Sequence, residues 1–230
     1  MHKPLVLLPG LRCDARLWRD VVAGLADGVA PIVADLTLDD TMKAMAARTL
    51  AAAPERFALA GLSMGGYLAL EIFNQAPERV THLALFDTSA RPDAEERKVS
   101  RRAEMDVVRQ GKGALVSRGA LPGLLAPQHL DTPLAEEVHD MAMRVGDAVY
   151  LRQQNAIMSR RDSRPHLKDI GIPTLVGVGA LDALTPPALA EEMAAGIPGA
   201  TLVQFPDSGH MSTMEAPEAV IGAMRAWLAR

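Results

Sequence analysis

Six short apolar runs, separated by segments of helical character, are the feature that most limits how this chain can fold. The runs are rich in leucine and β-branched residues, and each is bounded by Gly, Pro or Asp. They are Leu5–Leu8, Ile32–Ala34, Phe57–Ala60, Leu83–Phe86, Thr174–Val178 and Thr201–Phe205. Because the runs are nearly continuously apolar rather than alternating, they are typical of parallel strands that helices cover on both faces.

Helical segments lie between these predicted strands. They are expected around Leu17–Leu25, Thr41–Ala52, Met64–Gln75, Pro187–Ala195 and Pro217–Ala229. In the last segment Val220, Ala223, Met224 and Trp227 recur with the spacing of one helix face. The alternation of strand and helix predicts an α/β fold with a doubly wound, mostly parallel sheet of about six strands.

One long interval, residues 91–169, carries no strand signal. Its first part, Arg91–Lys112, is crowded with charges of both signs. A later segment has four apolar residues on one helical stripe, which are Leu134, Val138, Met141 and Val145. We therefore predict a core of residues 1–90 and 170–230, interrupted by an insertion of two to four helices. Large insertions in compact domains are usually functional, which favours a lid over a substrate pocket rather than a cover for the sheet edge.

Composition limits the classes of function. The 230 residues carry a formal net charge of -4, without the basic excess that phosphate neutralisation requires, so nucleic acid is not an expected partner. The single Cys13 cannot form an internal disulfide, and the apolar run that ends at Pro9 is too short for a signal sequence or a membrane span. These features favour a cytoplasmic protein. Metal-ligand spacings and nucleotide-binding glycine motifs are absent from the sequence, so we expect neither a metal nor a cofactor.

The most informative local pattern is Gly61-Leu-Ser63-Met-Gly65, which joins a predicted strand to a predicted helix. Glycines two residues either side of the serine allow a sharp turn, because a Cβ there would collide with neighbouring backbone. The turn exposes the serine hydroxyl and places it at the start of a helix, where free N–H groups favour developing negative charge. Ser63 is therefore predicted to be a nucleophile.

A serine hydroxyl is a poor nucleophile near neutral pH, so it needs a base, and the base needs an orienting acid. Asp182 follows the fifth predicted strand, and His210 follows the sixth. Groups at the carboxyl ends of parallel strands gather at one edge of the sheet. Ser63, Asp182 and His210 are therefore predicted to form a triad in that chain order. Asp87 also follows a strand and remains a less favoured candidate for the acid.

Acyl transfer also needs two N–H donors at the position where the oxyanion forms. The residue after the nucleophile, Met64, should supply one backbone N–H. The loop after the first strand, Leu8-Pro9-Gly10-Leu11, should supply the other, with Gly10 allowing a tight turn that points the Leu11 N–H at the substrate oxygen. We therefore predict Leu11 and Met64 as the oxyanion hole.

Three separated motifs resemble those of the α/β-hydrolase superfamily, and the resemblance extends from Leu5 to Trp227. The motifs are Leu7-Leu8-Pro9-Gly10-Leu11, Gly61-Leu-Ser63-Met-Gly65-Gly66, and Gly179-Ala-Leu-Asp182-Ala-Leu-Thr-Pro186 followed by Ser208-Gly209-His210. The resemblance implies the compact branch of esterases, enol-lactonases, thioesterases, carbon–carbon bond hydrolases and cofactor-free haloperoxidases, with a helical cap. It also implies that the chain begins in the third of the family's usual eight strands. One departure is Pro9, which stands where the family usually has His and which has no N–H.

Together these patterns predict a serine hydrolase that cleaves a small-to-medium, hydrophobic carboxylic ester through an acyl-enzyme. Aliphatic side chains are expected near the pocket mouth, and they are Leu11, Met64, Leu184 and Met211. A lactonase, a thioesterase or a carbon–carbon bond hydrolase with the same triad is an alternative, because the fold does not fix the scissile bond. A hydrolase-fold protein that only binds a ligand is another alternative, and its expected mark is a missing triad residue.

Overall fold

The computed structural model describes residues 2–230. Six strands form one parallel sheet in the order β2-β1-β3-β4-β5-β6. The strands are β1 Lys3–Leu8, β2 Val29–Val33, β3 Phe57–Leu62, β4 Val80–Phe86, β5 Thr174–Gly179 and β6 Thr201–Phe205. The predicted fold, a doubly wound sheet of about six parallel strands, is confirmed.

Ten α-helices lie within residues 2–230. They are α1 Arg19–Leu25, α2 Met42–Ala52, α3 Met64–Gln75, α4 Glu95–Arg109, α5 Gly113–Leu124, α6 Pro133–Val145, α7 Asp147–Met158, α8 Pro187–Gly196, α9 Ser212–Glu215 and α10 Pro217–Leu228. The predicted helix over Leu17–Leu25 begins as a 3₁₀ turn, Ala15–Trp18, before α1. Thr41 starts α2 as a cap, because its hydroxyl accepts a hydrogen bond from the Ala44 N–H at 3.2 Å.

Four of these helices, α4 to α7, lie between β4 and β5, and we call them the helical insertion. Within it α4 packs on α5 and α7, and α5 packs on α6. The apolar stripe predicted in this region lies on α6, where Val138 and Met141 are buried against the core. No helix within residues 2–230 combines the length and the apolar character that crossing a membrane requires.

The two outer strands depart from the predicted pattern. β2 covers Val29–Val33 instead of Ile32–Ala34, and Pro31 lies inside it. A proline is tolerated there because β2 is an edge strand that pairs only with β1. Three residues of β2 are exposed, as are two residues of β6. The outer two strands are therefore less buried than their apolar sequences predict, because an edge strand has a neighbour on one side only and its free edge faces solvent.

The inner strands divide the core into two layers. Leu5 and Leu7 of β1 pack on one face of the sheet with Trp18 and Met224. The alternate side chains of β1 pack on the other face with α2, α3 and α8. Burying apolar side chains on both faces holds the strands firmly, so the loops after their carboxyl ends start from fixed positions.

Candidate active site

Ser63 occupies a strained turn between β3 and α3. Its backbone has φ 54° and ψ -113°, a left-handed value of φ that is uncommon for residues other than glycine. The Ser63 N–H donates to the Phe86 carbonyl at 2.9 Å, and the Ser63 carbonyl accepts from the Thr88 hydroxyl at 2.8 Å. Such strain persists only where the surrounding structure holds it in place, and the hydrogen bonds to the end of β4 supply that support.

The glycines around Ser63 are required by close packing. A Cβ on Gly61 would overlap the backbone of Gly65, and a Cβ on Gly65 would overlap the carbonyl of Leu8. Any larger residue would push β3, α3 and the end of β1 apart. The structure therefore confirms the steric reason for glycine that the sequence pattern indicates.

The structure brings Ser63, His210 and Asp182 together. The Ser63 Oγ lies 2.8 Å from the His210 Nε2, and the His210 Nδ1 lies 2.8 Å from the Asp182 Oδ2. His210 and Asp182 are both buried. The three side chains therefore form a continuous hydrogen-bonded path at the carboxyl edge of the sheet.

Asp182 is held by its own loop. Its Oδ1 accepts hydrogen bonds from the N–H groups of Leu184 at 2.8 Å and Thr185 at 2.9 Å. The Thr185 hydroxyl donates to the Asp182 Oδ2 at 2.7 Å. Burial alone would raise the pKa of Asp182, but the nearby His210 and the two hydrogen bonds from Thr185 lower it below its ordinary value. Asp182 is therefore an ionised carboxylate at neutral pH.

The electrostatics of His210 follow from its neighbours. Burial alone would lower the pKa of His210, but the Asp182 carboxylate raises it above its ordinary value. A higher pKa makes the neutral imidazole a stronger proton acceptor. This pairing therefore favours His210 as a general base next to the Ser63 hydroxyl.

Asp87, the alternative acid, has different partners. Its Oδ1 accepts from the Gly179 N–H at 2.8 Å, and its Oδ2 is hydrogen-bonded to the Ser212 hydroxyl. Burial, and then the negative charge of Asp182, raise the pKa of Asp87 to about 8. Within residues 2–230 no hydrogen bond joins Asp87 to His210, so the geometry favours Asp182 as the residue that orients the imidazole.

The two predicted oxyanion donors lie at the expected turns. Met64 is the first residue of α3, and Leu11 lies in the turn after β1. Within residues 2–230 neither backbone N–H has a hydrogen-bond acceptor. Both donors are therefore free to bind a substrate oxygen.

The turn after β1 differs from the sequence-based expectation in one respect. The residue with the left-handed backbone is Arg12, with φ 57°, whereas a Cβ on Gly10 would make only ordinary contacts with Cys13 and Leu62. The tight turn does begin at Gly10, whose carbonyl accepts a hydrogen bond from the Cys13 N–H at 3.1 Å, but its left-handed position is occupied by Arg12 instead of a glycine. Arg12 holds this conformation because its N–H donates to the Gln153 Oε1 of α7 at 2.9 Å.

A cavity of about 700 Å³ opens on Ser63 and His210. We call the loops that follow the strands and reach this cavity the loop wall. Three of the four aliphatic residues predicted near the mouth belong to this wall, and they are Leu11, Leu184 and Met211. The prediction is wrong for the Met64 side chain, which does not line the cavity and is fully buried in the core.

A second part of the cavity lining comes from residues 91–160, which we call the insertion wall. The charge of this wall was missed from the sequence. Charged residues that line this wall are Arg91, Asp93, Arg97, Arg101, Glu104 and Arg160. The only signal in the sequence was the crowding of charges over Arg91–Lys112. That signal did not show which side chains face solvent and which face the cavity.

The parallel sheet and the serine turn together define the class of α/β hydrolases. Residues 5–223 match the family model described as the alpha/beta hydrolase family. The chain belongs to this family, which confirms the resemblance found in its motifs.

Several relatives are similar over nearly the whole chain. The "Putative non-heme bromoperoxidase BpoC" of Mycobacterium tuberculosis is 30% identical over 227 residues, which cover 96% of this chain and 84% of that protein. The pimeloyl-acyl-carrier protein methyl ester esterase of Pectobacterium carotovorum is 30% identical, over 94% of this chain and 90% of that protein. An esterase from Thermogutta terrifontis, in a structure with bound malate, has a TM-score of 0.90 and 31% identity. That alignment covers 100% of this chain and 90% of the esterase chain.

Proposed function

We propose that this protein is a serine hydrolase that cleaves a carboxylic ester through an acyl-enzyme. Ser63 is the nucleophile, and His210 is the general base. Asp182 orients the imidazole and stabilises the imidazolium that forms when His210 takes the proton. The observation that carries the proposal is the hydrogen-bonded path from Asp182 through His210 to Ser63, which ends at a cavity large enough for a small molecule. The two esterases among the relatives support an ester as the scissile bond.

The proposed reaction has two halves. In the first half the Ser63 Oγ attacks the ester carbonyl carbon while the His210 Nε2 takes its proton. The backbone N–H groups of Leu11 and Met64 bind the oxyanion of the tetrahedral intermediate. When the intermediate collapses, the bond to the alcohol breaks, His210 protonates the departing alcohol, and the acyl group stays on Ser63.

In the second half water releases the acyl group. The neutral His210 takes a proton from a water molecule, which attacks the carbonyl carbon of the acyl-enzyme. The same N–H groups bind the second oxyanion, and collapse returns the proton to the Ser63 Oγ. The products are an alcohol and a carboxylic acid. Hydrolysis of a lactone would follow the same steps with both products in one molecule.

Replacing the nucleophile tests this proposal. The variant Ser63→Ala should hydrolyse p-nitrophenyl butyrate at least about 10³-fold more slowly than the wild type, because a triad member is lost. A fluorophosphonate probe should label the wild-type protein at Ser63 and leave the variant unlabelled.

A matched control comes from a second serine–histidine pair beside the same cavity. The Ser117 Oγ lies 3.0 Å from the His139 Nδ1, but no carboxylate of residues 2–230 is hydrogen-bonded to this imidazole. Ser117→Ala should therefore retain wild-type turnover. Full activity of Ser63→Ala, with contamination excluded, contradicts the proposal. Failure of the probe to label the wild type favours a hydrolase-fold protein that only binds its ligand.

A further inference from the structure

Three buried charged side chains form a cluster on the insertion wall of the cavity. The Arg101 Nε donates to the Asp93 Oδ2 at 2.6 Å, and the Arg160 Nη2 donates to the Asp93 Oδ1 at 2.7 Å. The side chains of Arg101, Arg160 and Asp93 are only 9%, 8% and 5% exposed. All three residues line the same cavity as Ser63.

The cluster holds one positive charge that no carboxylate neutralises. The other arginines that line the cavity each have a carboxylate of their own, and the pairs are Arg12 with Asp147, Arg91 with Glu192, and Arg97 with Glu104. Asp93 is shared by two guanidinium groups. Burial alone would raise its pKa, but the hydrogen bonds from Arg160 and Arg101 lower it below its ordinary value, so Asp93 counts as one full negative charge. A buried charge without a partner is costly, and an anionic ligand would remove that cost.

Arg101 is the member of the cluster with a free donor. Its Nη1 donates to the Gln154 Oε1 at 2.7 Å, and Gln154 is fixed in turn by donating to the Tyr150 hydroxyl at 2.7 Å. The Arg101 Nη2 has no hydrogen-bond partner within residues 2–230, and this atom is not fully buried. By contrast, all three guanidinium nitrogens of Arg160 donate to protein oxygens.

We propose that Arg101, supported by Arg160 and Asp93, binds a carboxylate of the substrate while Ser63 attacks an ester elsewhere in the same molecule. The substrate class is therefore an ester that carries a free carboxylate, and the monoester of a dicarboxylic acid is its simplest form. This inference rests on the proposed function, because it takes Ser63 as the nucleophile. The single excess positive charge matches a carboxylate, whereas a phosphate monoester carries about two negative charges near neutral pH. A guanidinium with a free N–H also suits the geometry of a carboxylate oxygen.

Paired substrates test the carboxylate site. Hydrolysis of monomethyl adipate and of the methyl ester of adipic acid monoamide is followed in a pH-stat at pH 7.5. The two esters have the same shape, and only the first is charged. The wild type should prefer the acid by about 10-fold or more in kcat/KM, because a hydrogen bond to a charged group is stronger than one to a neutral group. The homologous pimelate and suberate pairs allow for the span between Arg101 and Ser63.

The variant Arg101→Gln removes the excess charge and leaves Asp93 paired with Arg160. It should lower kcat/KM for the monoacid by about 10-fold to 100-fold while kcat/KM for the amide ester stays within about twofold. Arg109→Gln is the matched control, since it makes the same change on the same helix at a side chain that is 52% exposed and pairs with Asp106. Arg109→Gln should keep the preference. Arg101→Lys, which keeps the charge and loses the planar fork, should give an intermediate preference and covers the case in which Arg101→Gln does not fold.

The outcomes separate this inference from the proposed function. A wild type that cleaves both esters at equal rates, or an Arg101→Gln variant that keeps the preference, overturns the carboxylate site and leaves the esterase proposal standing. Calorimetric titration of adipate into Ser63→Ala measures the site without turnover. Binding that weakens at least about 10-fold in Ser63→Ala/Arg101→Gln supports the site even if no ester is cleaved. Absence of adipate binding to Ser63→Ala, or stronger binding of inorganic phosphate than of adipate, contradicts it.

Discussion

The two walls of the cavity hold their carboxylates in different ways. On the loop wall most donors to the carboxylates are backbone N–H groups. Asp182 accepts from two N–H groups of its own loop, and Asp87 accepts from the Gly179 N–H. On the insertion wall the donors are side chains, since Asp93 accepts hydrogen bonds from the guanidinium groups of Arg101 and Arg160. Backbone donors on a packed sheet keep fixed positions, which a proton path requires. Long side chains such as these can be exchanged without moving the backbone.

This difference assigns separate tasks to the two walls. The loop wall should govern the rate at which any ester is cleaved, because every group of the proposed proton path lies there. The insertion wall should govern which ester is preferred, because the proposed contact of Arg101 is with a carboxylate and not with the reacting ester group. Changes on the two walls should therefore alter different kinetic quantities.

The largest expected effect follows from Asp182→Asn. The substitution keeps the size of the side chain, but its amide group favours the imidazole tautomer that carries a proton on Nε2, and this tautomer cannot accept the Ser63 proton. We expect kcat for the neutral amide ester to fall at least about 10³-fold. Measured beside Arg101→Gln, which should leave that rate nearly unchanged, this variant tests the separation of the walls. A fall in kcat of less than about 10-fold in Asp182→Asn would contradict the assignment of separate tasks to the two walls.

The pH dependence sharpens the same comparison. His210 must be neutral to accept a proton, and Asp182 raises its pKa above its ordinary value of 6.5. The acid limb of kcat/KM for the neutral ester should therefore lie above pH 6.5 and fall about tenfold for each pH unit below it. The preference for the monoacid should stay constant from pH 6 to 8, because the arginines remain protonated. An acid limb below pH 6 contradicts the proposed pairing of His210 with Asp182.

The smallest expected effect concerns the second carboxylate of the loop wall. Burial and the charge of Asp182 raise the pKa of Asp87 from 3.8 to about 8, so the folded protein binds this proton more tightly than the unfolded chain. The resulting stabilisation is complete below about pH 4 and is lost as the pH rises towards 8. Asp87→Asn cannot ionise, so its Tm relative to wild type should rise between pH 5 and pH 8 by at least about 2 °C.

Activity supplies the second measurement on Asp87→Asn. The asparagine can still accept from the Gly179 N–H, and Asp87 is mostly uncharged at pH 7, so kcat at pH 7 should stay within about threefold of wild type. A Tm difference that is constant with pH contradicts a neutral Asp87. A loss of activity as large as that of Asp182→Asn would make the two carboxylates equivalent.

Much of the loop wall was predictable because its residues directly follow strands. Ser63, Asp182 and His210 come one to five residues after β3, β5 and β6, and parallel strands end at one edge of the sheet. Supporting residues such as Thr185 and Ser212 were missed. Thr185 belongs to the motif that contains Asp182, but its hydroxyl becomes important only because the loop turns it back onto the carboxylate.

The insertion wall was not predictable in the same way. The charges over Arg91–Lys112 are evident in the sequence, but Asp93 pairs with Arg160, which is 67 residues away. Which arginine shares this carboxylate depends on how the end of α7 lies against the segment before α4. A helix period shows which residues share a face, and it does not show what that face contacts.

The sequence by itself determined which strands carry the candidate catalytic residues. A serine turn, an acid and a histidine each follow an apolar run. The sequence could do so because glycine requirements and apolar periodicity are local properties of the chain. Only the tertiary structure decided that Asp182 rather than Asp87 contacts His210, that Arg12 takes the left-handed turn, and that two arginines share Asp93. Each of these depends on groups distant in sequence, and their contacts exist only after the sheet and the helical insertion have packed together.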